Sequence, residues 1–107
     1  MSYLSVDDFL VGITGGTDDL SIPGVGMIKV RALDYIDVQR INKEAAGDEM
    51  QAGFLMACSG IVEPKLSAEH LTQLGKARPG VIALISSRVS ELSGMREDVE
   101  KKVGNGS

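Results

Sequence analysis

Thirteen consecutive residues, Met50–Val62 (MQAGFLMACSGIV), carry no charge; Glu49 and Glu63 bracket them and Pro64 closes them. Phe54, Leu55, Cys58, Ile61 and Val62 fall at i, i+1, i+4, i+7 and i+8, a spacing that predicts one apolar face of an α-helix. Met50 and Met56 widen that surface. Gly53, Ala57 and Gly60 form a thin side, where the backbone of another helix, in the same domain or in a second copy, could approach closely. A bilayer span needs about 20 residues. The stretch therefore predicts a core helix that the rest of the chain, or a partner, must cover.

A chain of 107 residues has room for one hydrophobic core, and 43% hydrophobic content is too high for a disordered segment. The aromatic residues are Tyr3, Phe9, Tyr35 and Phe54 alone, so the core must be aliphatic with methionine as filler. Eleven basic against fifteen acidic residues give a net charge of −4. No basic stripe accompanies them, which argues against a nucleic-acid partner. The single cysteine excludes an internal disulfide and fits a reducing compartment. MSYLSVDDFL lacks the basic start and apolar run of an export signal. A cytoplasmic protein with no membrane association is expected.

Residues 1–13 predict a short helix capped by Ser5, with Asp7 and Asp8 in its first turn and Phe9 and Leu10 turned inward. Thr14–Leu20 reads as a flexible loop. A β-hairpin follows, Leu20–Ile22 and Gly26–Arg31, joined through Pro23-Gly24; it must lie on the helices or pair with another chain. Asp34 at the N-cap and Asp37 at N3 start the next helix, with Leu33 as a staple. Val38 and Ile41 face inward, with Tyr35 or Ile36 alongside. Ala45-Ala46-Gly47 ends that helix and Asp48 caps the central one. Ser67 caps Ala68–Leu74, which Gly75 stops. Pro79 at N1 opens the last long helix, whose stripe is Ile82, Ile85, Val89 and Leu92 and whose stop is Gly94. The fold class is mainly α, about four to five helices with a short N-terminal β-hairpin. The chain reads as a single domain, with 1–20 as a variable N-terminal segment and 96–107 as a charged, flexible tail.

No catalytic, cofactor or metal constellation emerges. Cys58 lies in the central apolar stretch with no base at a readable spacing, and fits a buried structural thiol. His70 is the only histidine, and one histidine cannot supply the three or four ligands of a metal site. Asp7-Asp8 and Asp18-Asp19 lack the alternating acids and terminal Glu of a calcium loop. Gly15-Gly16 and Gly24-x-Gly26 are turn glycines without the rest of a phosphate loop. The chain is expected not to be an enzyme, and interaction with other proteins is what remains.

Three segments in order are similar to one family: IPGVGMIKVRALDYIDVQRI (Ile22–Ile41), FLMACSGIVEPKLSAEHL (Phe54–Leu71) and LGKARPGVIALISSRVSELSGM (Leu74–Met95). A ribbon feeding a capped helix, an apolar helix ending in V-x-P-K-L-S, and an R-P-G helix start resemble the tail assembly chaperones of long-tailed, siphovirus-like bacteriophages and prophages. The resemblance spans roughly residues 20–95. It implies a non-catalytic helical protein that needs no cofactor and works in the host cytoplasm, absent from the mature virion. Such a protein binds the tape measure protein, keeps it soluble and helps recruit tail tube subunits. The family also implies a longer product made by ribosomal frameshifting. Glu100-Lys101-Lys102 is compatible with an A-rich slippery run, or with an ordinary charged tail. Two other readings stay open: a tail structural or connector subunit retained in the virion, and a small bacterial regulatory adaptor.

Partner contact is expected from apolar residues in excess of a one-sided stripe, namely Met50, Met56, Val81 and Leu84. Ribbon edges at Ile28 and Val30 could pair between subunits in a homo-oligomer.

Overall fold

The computed structural model describes residues 2–95. Its elements are α1 (Val6–Ile13), β1 (Thr17–Ile22), β2 (Gly26–Arg31), α2 (Tyr35–Ala45), α3 (Glu49–Gly60), β3 (Ile61–Glu63), α4 (Ala68–Leu74) and α5 (Pro79–Leu92). This is a small, mainly α domain of five helices with a three-stranded antiparallel sheet ordered β1-β2-β3. The charged tail, 96–107, lies outside the described residues.

Local chemistry sets most of the boundaries. Val25 N–H donates to the Ile22 carbonyl at 3.0 Å, with Pro23 second in that turn and Gly24 third at φ 77°. That is the type II pattern, where the positive φ calls for glycine. Asp34 accepts from the Asp37 N–H at 2.7 Å, and Asp37 accepts back from the Asp34 N–H at 3.3 Å, closing the capping box of α2. Asp48 accepts from both Met50 and Gln51 N–H at the start of α3. Ser67 and His70 cap α4 reciprocally: the Ser67 N–H donates to His70 Nδ1 at 3.1 Å and the His70 N–H to Ser67 Oγ. Pro79 opens α5 and Gly94, at φ 78°, follows its end.

The core is where α3 and α5 cross and the sheet packs on α5. Val30, Ala57 and Val89 are fully buried, with Ile22, Leu33, Ile41, Met56 and Ile85 around them. The side of α3 that faces α5 is its thin one. A Cβ built on Gly60 would stand 2.4 Å from Val89 Cγ2, so only glycine lets the two backbones come this close. Small residues at a helix crossing shorten the interaxial distance and hand the remaining contact to the partner helix's branched side chains.

Several expectations change. α3 ends at Gly60, and Ile61–Glu63 form a strand instead, pairing Val30 with Ile61 and Lys29 with Glu63 across a local register shift. The buried residues of α3 are Met56, Ala57 and Gly60; the expected stripe of Phe54, Leu55, Cys58, Ile61 and Val62 is only half-buried. Thr17–Leu20 belongs to β1, paired in full with β2, and not to a loop. Tyr35 and Ile36 are exposed, and α2 turns inward through Ile41 and Ala45, with Val38 half-buried beside them. Phe9 and Leu10 do not pack inward: α1 has no buried residue at all.

Two polar stitches hold the corners. Ser93 Oγ accepts from the Leu33 N–H at 2.8 Å and donates to the Val89 carbonyl at 2.7 Å, tying the β2–α2 corner to the end of α5. Arg31 donates through Nε to the Ser59 carbonyl at 3.0 Å and pairs with Asp37 at 3.2 Å, joining β2 to α3 and to the α2 cap.

Candidate partner-binding surface

The α1 segment is the most exposed apolar part of the molecule. Ser5 accepts from the Asp8 N–H at 3.1 Å and starts the helix. Val6, Phe9, Leu10 and Ile13 then fall at i, i+3, i+4 and i+7, a one-sided stripe of the kind that normally lies on a core. Here, among the described residues, none of it is buried. Tyr3, Leu4, Val6, Phe9, Leu10, Val11 and Ile13 are all exposed, from 48% at Leu10 to 94% at Tyr3. Helices of this length are marginal by themselves in water and gain stability chiefly from a covered face.

A second apolar surface is a groove of about 310 Å³ between α3, the α4–α5 connection and the first half of α5. Met50, Gly53 and Phe54 form one wall, and Pro79, Ile82 and Ala83 the other. Gly53 keeps it open at the α3 side, where a methyl group would meet only Ser86 at 3.7 Å. A third, shallower depression of about 370 Å³ runs over Ile22, Pro23, Val81 and Leu84.

The sequence-derived contact residues divide between these places. Met50 is 79% exposed on the groove's rim. Val81, half-buried against the core, and Leu84, at 36% exposure, line the shallow depression together. Met56 is not available to a partner: it is 9% exposed, its sulfur accepting from Ser90 Oγ at 3.8 Å across the α3–α5 crossing. Val30 is fully buried, and Ile28 is half-buried. Both stand in β2, the central strand: Val30 is paired on both sides, with Asp18 and Ile61, and offers no ribbon edge, while Ile28 is paired with Leu20 of β1 and lies beyond the short pairing with β3. The free edges belong to β1 and β3, and β1 carries Asp18 and Asp19, charges that discourage edge-to-edge pairing. Phe9 and Leu10 are expected inside because apolar residues on a capped helix normally find a cover within the domain; the sequence carries no signal that α1 leaves them exposed.

No protein family, curated protein or solved structure matches this chain.

The titratable groups act as structure. Burial alone would raise the Asp37 carboxyl, but the Asp34 N–H, the Arg31 guanidinium and Arg40 outweigh it and hold Asp37 below its ordinary 3.8. Burial pushes the Cys58 thiol up, which keeps it protonated and unreactive at neutral pH. Arg88 pairs with Asp18 of β1 and with Glu91 at 3.1 Å, pinning the hairpin to α5. His70 is spent on the α4 cap. Among the described residues no three His, Cys, Asp or Glu side chains come together as a metal site, and no helix is long and apolar enough to cross a membrane.

Proposed function

We propose that the chain is a non-catalytic tail assembly chaperone that holds the tape measure protein of a long-tailed phage or prophage and keeps it soluble. It would help recruit tail tube protein in the host cytoplasm and depart before the particle is complete. The observation that carries this reading is the bare apolar segment, residues 3–13, beside a body whose own core is closed without it. A protein that exposes such a stripe has a surface fit for an apolar, helical partner, the helix-in-groove mode of recognition. Exposed apolar area of this extent on a free chain marks an interaction site. The net charge of −4 opposes indiscriminate aggregation while that surface is uncovered. The order of the three sequence segments supplies the choice of tape measure protein among apolar helical partners.

Co-expression tests it. The tape measure protein encoded beside this chain should be insoluble alone and recovered as a soluble complex when the two are made together. An insoluble tape measure protein in the presence of this chain, with the chain itself folded, would overturn the proposal. Intact-mass analysis of the native locus should show a minor longer product sharing this N-terminus.

A further inference from the structure

The start of α4 is closed by a capping box with a titratable second member. In such a box a serine or threonine at the N-cap accepts from the N3 amide, and a glutamate or glutamine at N3 accepts back from the N-cap amide. Here Ser67 Oγ accepts from the His70 N–H at 3.3 Å, and His70 Nδ1 accepts from the Ser67 N–H at 3.1 Å. An imidazole accepts at Nδ1 only while that nitrogen carries no proton, so the bond requires neutral His70 with its hydrogen on Nε2. The same place in the α2 box is held by Asp37, a carboxylate kept below its ordinary 3.8 and so an acceptor at any mildly acidic pH.

α4 leans on this box because it has little else. It is seven residues long and none of them is buried. Leu71 and Leu74 are half-buried, and Gly75 meets Phe54 of α3, where an added Cβ would lie 3.9 Å from the ring. The chain then continues through Gly75, Ala77 and Pro79 as one border of the α3–α5 groove. Protonation of His70 acts twice in the same direction. It turns Nδ1 from acceptor into donor, so that two donors face each other, and it sets a positive charge at the positive end of the helix dipole. No ion pair among the described residues involves His70. Glu69 stands next to it at i, i−1, which do not face each other on a helix, and Lys65 lies two residues before the cap. α3 carries one charge, Glu49, in its own first turn. Free histidine takes up its second proton between about pH 8 and about pH 5, above the range of carboxyl groups.

We propose that the Ser67–His70 box is an acid-sensitive latch on α4. With His70 neutral it holds α4 and the groove border in place. When His70 gains a proton the latch opens and α4 unwinds from its start, while α3, α5 and the sheet stay folded. The contribution of the box is thus present at the higher pH and lost as pH falls through the histidine range. It stands independently of the tail assembly reading.

Backbone NMR of the full chain, titrated from about pH 7.5 to about pH 5.5, reads this directly. The helical Cα shifts of Ala68–Leu74 should shrink by at least about a third, as loss of a cap on a marginal helix requires, with Gly75 and Ala77 moving alongside. Those of Glu49–Gly60 and Pro79–Leu92 should hold. His70→Gln and His70→Glu keep an acceptor at N3 over the whole range and should leave α4 helical and insensitive to pH. His70 is exposed, so the rest of the fold survives both changes. Wild-type α4 shifts that stay constant over the range would overturn the proposal, as would a variant that follows the wild-type course. An α4 already unwound at neutral pH in both variants would show that the ring holds the helix by contacts other than the Nδ1 bond, and would equally overturn it.

Discussion

α1 and α3 are both short, apolar helices with acid in the first turn, yet only one is part of the core. α1 has the regular stripe, Val6, Phe9, Leu10 and Ile13, and buries none of it. α3 has no single clean stripe and is buried along its thinnest side, through Ala57 and Gly60. Amphipathic spacing says that a helix needs a cover. Close approach says whether it has found one. At Gly60 the missing Cβ admits Val89, and around that contact Met56, Ile85 and the sheet complete the core. Around α1 none of the described residues closes, and its stripe stays open.

The comparison can be broken most severely at the crossing. Gly60→Ala puts a methyl group against a fully buried, β-branched Val89, and overpacking of this kind costs about 1–3 kcal/mol. For a domain of this size each kcal/mol lowers Tm by roughly 4–8 °C, so thermal unfolding reads it plainly. The double variant Gly60→Ala, Val89→Ala should cost less than the sum of the two single changes, because the second removes the obstruction met by the first.

Asp37→Asn tests the frame that sets α2 against α3 rather than the crossing itself. It weakens the capping box and the Arg31 pairing, for a loss of about 1 kcal/mol at neutral pH. The sign with pH follows from the lowered carboxyl. Its contribution is present above the ordinary value of 3.8 and is lost as pH falls through the lower folded value. Chemical denaturation between neutral and acidic pH should therefore show the wild type's advantage over Asp37→Asn shrinking as the solution becomes acidic.

The smallest effect on stability belongs to the helix with the more regular pattern. Phe9→Asp with Leu10→Asp should shift unfolding by no more than about 0.5 kcal/mol, as surface changes do. Loss of several kcal/mol would move α1 into the core and remove the contrast drawn above.

Much of the fold is legible in the chain because caps and turns are local chemistry. Ser5, Asp34, Asp48, Ser67 and Pro79 each start a helix where the sequence places one, and Pro23-Gly24 turns the hairpin. β2 is read to the residue, Gly26–Arg31. What escapes the sequence is what depends on distant partners. Ile61–Glu63 continue the helical spacing of α3, yet form a strand because β2 offers its free side there. Asp18 and Asp19 look like loop residues and are strand residues, since Arg88, seventy positions away, takes up the charge of Asp18. The candidate surface was legible only in part. Met50, Val81 and Leu84 reach the surface or its depressions, whereas Met56 and Val30 are consumed by the core. The α1 stripe carries a signal for a covered face that does not specify whose atoms cover it.

The most direct measurement is amide hydrogen exchange of the full chain with and without the tape measure protein. In the free chain the α1 amides should exchange fast while those of α3 and α5 exchange only near global unfolding, and the partner should slow α1 specifically. Amides of α1 as protected as those of α5 in the free chain, or left unprotected in a complex that forms, would contradict the view of α1 as a partner-binding element outside the core.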